Sequence, residues 1–428
     1  MNSERVLIVG SGGREDAMKW KLSGEGLEVY MAPGNGGTDI ARRVLLNPKN
    51  HEEIVEASKD LEINLVIVGP EEPLVHGIVD RLHEHGVAAY GPTQQAARLE
   101  GSKTFSGQFL KRHDIPAPEF GAFDRFEEAV DFVTSPTWKS GVVVKADGLA
   151  AGKGVFVCNS LEEAYDALRR LMMDEEFGDA GKRVVIQEKL EGYELSAQAI
   201  VRGQQVIMLP FSEDYKQAHD NDSGPNTGGM GAEAPHPLVT QELSRHIQET
   251  IIEPIIVGMK SEGIPLNGTL YVGIMMTADG PKVLEINIRF GSPEIQSVLP
   301  LLALPLYPVL YCSATGRLPF TGEYPTTGRH CVVVTLASGG YPGSYETGFP
   351  ITGLENIPDG ESVLLFHDAT REDNGTHLTA GGRVLMVAGV ADSLSDAKGT
   401  VYQAVKKITF QGMQYRDDIG NRKRKNPL

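Results

Sequence analysis

The chain is poor in the residues that thiol, zinc or membrane chemistry would need. Its 428 residues include three cysteines, Cys158, Cys312 and Cys331. None has metal-ligand spacing and each lies in or near an apolar run, so reduced, buried thiols and a reducing, cytosolic setting are expected. No apolar run approaches the twenty residues of a membrane span, and Val6 to Val9 leads straight into glycine rather than into a signal core, which argues against secretion and insertion. Positive charge is in deficit: 40 Lys and Arg against 57 Asp and Glu leave a formal charge of −17. That balance argues against nucleic acid and against an anionic membrane as partners, although a local basic pocket can still take a small anion. The chain also offers no convincing Ser/His/Asp or Cys/His arrangement, and its glycine-rich turn Ala146 to Gly154 is not a Walker A loop, because no Lys-Ser/Thr pair opens a helix after it.

What is present in quantity is glycine, 49 residues. The length exceeds a single core, so two to four domains are expected. Glycine is most informative in the run Asp214 to Gly231, where five of eighteen residues are Gly or Pro and Asp214, Lys216, Asp220 and Asp222 supply charge. Such a run is expected to be neither helix nor strand and to contact a polar ligand.

Apolar runs at Arg5–Val9, Leu65–Val68 and Ala88–Tyr90 read as parallel strands whose ends carry Gly10 to Gly13, Gly69-Pro70-Glu71 and Gly91-Pro92-Thr93. Loops at such strand ends bind ligands in open α/β sheets. The helix from about Arg14 to Ser23 would place free N–H groups of Gly12 and Gly13 toward an anion. A nicotinamide dinucleotide, a sugar phosphate and a plain tight turn all fit Gly10 to Gly13, but GxGxxG fails at Glu15.

His113 to Pro118 reads as a linker. Beyond it, Gly141–Lys145 and Val155–Cys158 are strands flanking Ala146 to Gly154, whose backbone N–H groups could close over phosphates while Lys145 and Lys153 neutralise them. Val184–Gln187 and Leu195–Val201 are further strands, and Leu270–Met276 with Val283–Ile288 reads as a hairpin turning at Asp279-Gly280. Glu285 and Asn287, two apart, face one side of their strand as hard oxygen ligands suited to Mg²⁺ against phosphates. Strands at Cys331–Leu336, Val363–His367 and Gly382–Gly389 suggest a small α/β domain from about Gly328. The basic run Asn421 to Asn426 reads as a solvated end.

Taken in order, these motifs resemble the phosphoribosylamine–glycine ligases of the ATP-grasp superfamily over nearly the whole chain. The matching segments are Gly12-Gly13-Arg14-Glu15, Ala32-Pro33-Gly34-Asn35, Gly69-Pro70-Glu71, Gly101-Ser102-Lys103, Lys145 to Gly154, Gly224 to Gly231, Glu285 to Gly291 and Gly381-Gly382-Arg383-Val384. The resemblance implies an α/β fold. An N-terminal open parallel-sheet domain (1–117) would precede an ATP-grasp region (118–327) with a mobile lid over about 118–192, and a small C-terminal α/β domain (328–428) would follow. It implies ATP-dependent joining of glycine to 5-phosphoribosylamine through a glycyl phosphate, with Mg²⁺ or Mn²⁺, in a monomer.

By the same resemblance Lys103, Lys145, Lys153, Gly152 and Gly154 would meet the triphosphate. Gln187, Glu188 and Leu190 would meet adenine, and Glu194 the ribose. Glu285 and Asn287 would hold the metal, and Arg289 would stabilise the transferring phosphoryl group alongside Lys145. Asp214, Lys216, Asp222, Pro225, Asn226, Thr227, Gly228 and Ser292, with Arg289, would order glycine and phosphoribosylamine, and Gly12 and Gly13 would sit near the 5-phosphate. The chain departs from the family pattern at Asp16 (usually His), Gln187 (Glu), Ser292 (Asp) and Ala380 (Asn). Asp16 and Ser292 bear on the acid or the acceptor. A paralogous ligase for another amino acid or amine, and an inactive nucleotide-binding module, are the alternatives.

Overall fold

The computed structural model describes residues 3–135, 138, 140–148, 154–174, 176–358 and 360–421. The first sheet is wholly parallel, in the order Glu28–Pro33, Arg5–Gly10, Leu65–Val68, Ala89–Tyr90. Val6, Leu7, Ile8 and Val9 are all fully buried, because both faces of this sheet are covered. The period of two then divides the strand: Leu7 and Val9 join a core shared with the central sheet, whereas Val6 and Ile8 join one shared with the C-terminal sheet. The N-terminal sheet is thus the layer against which both other parts are set.

The central sheet is ordered Gly280–Asn287, Asn267–Thr277, Tyr193–Arg202, Gln205–Met208, Gly322–Glu323. Its first three strands are antiparallel, and a register shift at Gly273/Ile274 puts Glu285 opposite Gly273 and Asn287 opposite Tyr271. Glycine at 273 leaves room there, since a Cβ would stand 3.1 Å from Glu285 Cγ.

A separate four-stranded antiparallel sheet, Phe120–Phe123, Val184–Glu188, Val142–Ala146, Val155–Cys158, carries the helices Phe126–Val133 and Leu161–Met172. It has a small core of its own, built on Val144, Leu168, Leu171 and Ile186. A sheet with an independent core can move as a unit against the rest. The chain leaves it through Gly192, whose φ of 156° and whose Cβ position 1.9 Å from Met276 O admit no side chain.

The C-terminal sheet differs from expectation. Its order is Glu213–Asp214, Gly231–Ala234, His330–Ala337, Arg383–Ala391, Val363–His367, so two of five strands come from the segment before Gly328. The run Asp214 to Gly231 is correspondingly more regular than expected: Gln217–His219 and Ser223–Asn226 form a hairpin, turned by positive φ at Asn221, Asp222 and Gly224. Strands of two to four residues lacking apolar alternation leave no periodic signal, and their pairing is imposed by distant partners. Cys158 and Cys331 are buried, Cys312 is partly exposed, and all three are free. No helix among the described residues is long and apolar enough to cross a membrane.

Candidate active site

Three lysines from three elements surround one carboxylate. Lys145, on Val142–Ala146, is buried and donates to Leu284 O at 3.0 Å. Lys103 opens the helix Lys103–Arg112, which Ser102 caps by accepting from Phe105 N, and its Nζ donates to Gly148 O at 3.3 Å. A cation in the first turn works against the helix dipole, so local structure does not explain it; a polyanion would. Lys216 Nζ pairs with Glu194 at 2.6 Å and with Glu285 at 3.8 Å.

Burial pulls the Lys145 ammonium down to about 8, with Glu285 opposing and Lys103 and Lys216 reinforcing. Burial lowers Lys103 as well. For Lys216 burial acts downward but is outweighed by Glu194, Glu285 and Asp214, which hold the charge firmly. Glu285 is lowered, because Lys216, Lys145, Arg289 and Lys103 outweigh its desolvation. Its side chain nevertheless keeps 41% exposure, opening the group to the cleft and screening it in part.

Arg289 follows on the same segment. It reaches Glu71 at 3.4 Å and Glu100 at 3.1 Å, and donates to Asn287 Oδ1 at 3.3 Å. Glu100 is raised by burial, whereas Glu71 is lowered because Arg289 and Arg14 outweigh its burial. The guanidinium is therefore held by two carboxylates of the N-terminal layer, and Glu100 also accepts from Ile288 N at 2.8 Å. Neither holding role is apparent from sequence, although Glu71 stands in a strand-end motif.

The other end is acidic and closed. Asp214 has a buried Oδ1 without a hydrogen-bond partner, and its carboxyl is raised well above the usual range by burial and by Glu294, against Lys216. Glu294 is 2% exposed and accepts from Tyr271 OH at 2.5 Å and from Ser196 Oγ at 3.4 Å. Burial, then Glu294, drives the Tyr271 phenol far up. Gly229 lies against both parts, a Cβ there falling 2.7 Å from Asp214 Oδ1 and 2.2 Å from Pro293. Thr227 closes its turn by binding Lys216 O through both N and Oγ1, each at 2.8 Å, and by accepting from Gly229 N. Gly228 N donates to Tyr341 OH at 2.9 Å.

Other expected ligand residues are already engaged. Asp222 is bound by the fully buried Arg416 at 3.2 Å, while Asn226 lies in the hairpin opposite Gln217 and Pro225 is exposed beside it. Gly12 N donates to Glu15 at 2.7 Å and Gly13 N to Asp368 at 3.1 Å, so an arriving phosphate meets two carboxylates at that helix start. Asp16 is bound by Lys19 at 2.6 Å and by His367 N at 2.9 Å, which makes it a tie between the first helix and the C-terminal sheet. Ser292 Oγ lies 2.9 Å from the Gln296 side-chain amide. Gln187 and Glu188 end the lid strand Val184–Glu188, Glu188 lies 3.9 Å from Lys282, and Leu190 follows in the partly buried link to the central sheet. Gly154 O accepts from Ala146 N at 2.8 Å, whereas Gly152 and Lys153 lie outside the described residues.

A separately cored sheet that carries Lys145, set against a central sheet that carries Glu285, with Lys103 and Lys216 brought to the same carboxylate from other elements, defines an ATP-grasp protein. The fold alone matches a biotin carboxylase from Campylobacter jejuni solved as a β,γ-ATP complex, at TM-score 0.73 and 15% identity over 96% of this chain and 93% of that one. The chain belongs to the phosphoribosylglycinamide synthetase family. The family's N domain model matches residues 4–100, its ATP-grasp (A) domain 101–295 and its C domain 331–422. It is 44% identical to the phosphoribosylamine–glycine ligase of Rhodopirellula baltica, over 99% of this chain and 98% of that protein. Against the trifunctional purine biosynthetic protein adenosine-3 of Gallus gallus it is 43% identical, over 98% of this chain and 42% of that protein. The crystal structure of the Thermotoga maritima phosphoribosylamine–glycine ligase superposes with TM-score 0.84 at 33% identity, covering 97% and 99% of the two chains.

Proposed function

We infer that this chain ligates glycine to 5-phosphoribosylamine, forming glycinamide ribonucleotide, ADP and phosphate. The observation that carries the reading is the trio Lys103, Lys145 and Lys216 around Glu285, next to Arg289. In sequence of bonds, a glycine carboxylate oxygen takes the γ-phosphoryl group as ADP leaves. The amine nitrogen then attacks the acyl carbon, losing a proton as phosphate leaves.

The residues suit those roles. Lys145 and Lys103, each short of a carboxylate contact within bonding distance, are the cations open to phosphate; Lys153 is assigned beside them from sequence. Gln187 to Leu190 line the link where an adenine would lie, and Gly154 directly precedes the strand Val155–Cys158 that pairs with the Lys145 strand. Glu194 serves ribose hydroxyls with the oxygen not bound to Lys216. No cluster of three or more metal-binding side chains occurs among the described residues. Glu285 and Asn287 fit Mg²⁺ or Mn²⁺ all the same, since such ions bound with a nucleotide need one or two protein oxygens plus phosphates and water. Bound there, the ion would neutralise charge developing on the phosphates. Arg289, fixed by Glu71 and Glu100, neither reorganises nor loses its charge during transfer. Asp214, Lys216 and Thr227 order the acid and the amine. Asp16, tied to Lys19 and His367, is turned away from that task, so of the two departures only Ser292 bears on substrate choice.

The test is ADP release with freshly generated phosphoribosylamine across a panel of amino acids, with product mass identifying the bond. Glycine should turn over fastest. Faster turnover with another acid would favour the paralogous ligase, and no ligation with any pair would favour a binding module. The domain division 1–117, 118–327 and 328–428 is kept as a proposal, and a monomer is expected, which light scattering tests.

A further inference from the structure

One guanidinium joins the three turns around the acceptor end. Arg383 begins the strand Arg383–Ala391 and is 20% exposed. Its Nη1 donates to Ser292 O at 2.9 Å and also to Gly228 O. Its Nε lies 3.2 Å from Asp368 Oδ2, and Asp368 Oδ1 takes Gly13 N. A C-terminal residue thereby holds the turn after Arg289, the glycine-rich turn after Lys216, and the start of the first helix.

The contacts lead directly into the chemistry. Gly228 follows Thr227, which fixes Lys216 O, and precedes Gly229, which abuts Asp214 and Pro293. Ser292 stands three residues from Arg289. A Cβ on Gly228 would lie 3.2 Å from Arg383 Cζ and 3.2 Å from Tyr341 OH, so the turn is seated tightly between them. Burial works against the Arg383 charge, and Asp368 first, then Tyr341, Asp214 and Glu294, retain it. A cation held largely out of water is costly unless geometry requires it, and a guanidinium whose Nη1 takes both carbonyls while its Nε faces Asp368 joins groups that the compact ammonium of a lysine does not reach together.

We propose that Arg383 is a positioning residue that sets the spacing of the Thr227–Gly229 and Gly291–Pro293 turns, and with it the alignment of the amine acceptor against the activated acid. The proposal rests on the ligase reading above. Misplacing reacting groups by about 1 Å can remove on the order of 100-fold in rate. Arg383→Lys should therefore lose on the order of 100-fold in kcat for ligation. KM for ATP should stay within about twofold, because ATP binding at Lys145 and Lys103 does not pass through this fork.

The measurement is steady-state kinetics varying ATP, glycine and phosphoribosylamine separately for Arg383→Lys and Arg383→Ala, with thermal denaturation of each and addition of ethylguanidinium to the latter. A kcat loss with unchanged ATP KM in protein that stays folded at the assay temperature, partly restored in Arg383→Ala by ethylguanidinium, is expected. Ligation within about threefold of the parent, or an ATP KM rising as much as kcat falls, would overturn the proposal. If Arg383→Ala does not fold, the Arg383→Lys split decides alone. Parent protein that fails to ligate would defeat the functional reading; only the variants bear on Arg383.

Discussion

The two ends of the cleft are built on opposite terms. At the proposed nucleotide end, Lys145 and Lys103 have no carboxylate in bonding contact among the described residues, and Glu285 is 41% exposed. At the proposed acceptor end, Glu294 is enclosed and Asp214 half-buried with one oxygen shut off, Glu294 bonds to Tyr271 and Ser196, and turns from three parts of the chain are tied to one another. On the function proposed above, the first end takes a large anion and a metal. The second holds fixed geometry for small reactants. Changes at the first should therefore act through charge, and changes at the second through position.

The largest test of this contrast is Glu285→Ala. Losing one strong electrostatic contact in the transition state corresponds to about 3 kcal/mol, on the order of 100-fold, and ADP formation should fall by at least that. Normal ADP formation would remove Glu285 from the metal role. Lys145→Met should come next, weakening ATP binding on the order of tens of fold, as measured by calorimetry.

Lys145 also predicts a pH signature. Its folded-state pKa is lowered to about 8, so its positive charge fades as pH rises through that value. ATP affinity should weaken above pH 8 by up to about tenfold per unit, with proton uptake on binding. Stability of the ligand-free protein should move the other way. An unfolded Lys145 binds more protons than the folded one between about pH 8 and its ordinary pKa, so that part of stability grows with pH. Lys145→Met should flatten both trends; binding that is flat with pH in the parent would count against Lys145 as the phosphate-facing cation.

Gly192→Ala probes the link between the lid sheet and the central sheet. A Cβ there meets Met276 O, and the strain should lower stability by about 1–3 kcal/mol in chemical denaturation. An unchanged midpoint would show that the link relaxes freely. The smallest effect concerns Asp16→His. Removing the carboxylate leaves His367 N and Lys19 without their acceptor, which should lower stability by about 1–3 kcal/mol while leaving KM for glycine unchanged. A shifted KM with full stability would place Asp16 at the ligand after all.

The same contrast explains what was readable in advance. Leu65–Val68, Val155–Cys158 and Val363–His367 are strands as expected, because short apolar runs announce themselves whether buried, as at Leu65–Val68, or half-exposed, as at Val155–Cys158. The strand positions of the proposed nucleotide end were legible too: Glu285 and Asn287 share one strand, and Lys145 lies near the end of another. The acceptor end was not. Asp368 meets Gly13 across 355 residues, and Arg383 meets Gly228 across 155, so no local spacing reports them. The hairpin at Gln217–Asn226 escaped for a related reason, since the two short strands that flank it pair with each other and, through Gly231–Ala234, with Cys331 to Val334, about a hundred residues on. The expectation that Asp222 meets substrate could not have anticipated Arg416, which comes 194 residues later.

The central claim is that the lysine-ringed carboxylate is where ATP is used, and a structure with a non-hydrolysable ATP analogue and Mg²⁺ tests it most directly. The account predicts the phosphates against Lys145 and Lys103, with the metal on Glu285 and Asn287 and the lid sheet closed over them. A triphosphate seated away from Lys145 and Glu285 would contradict it.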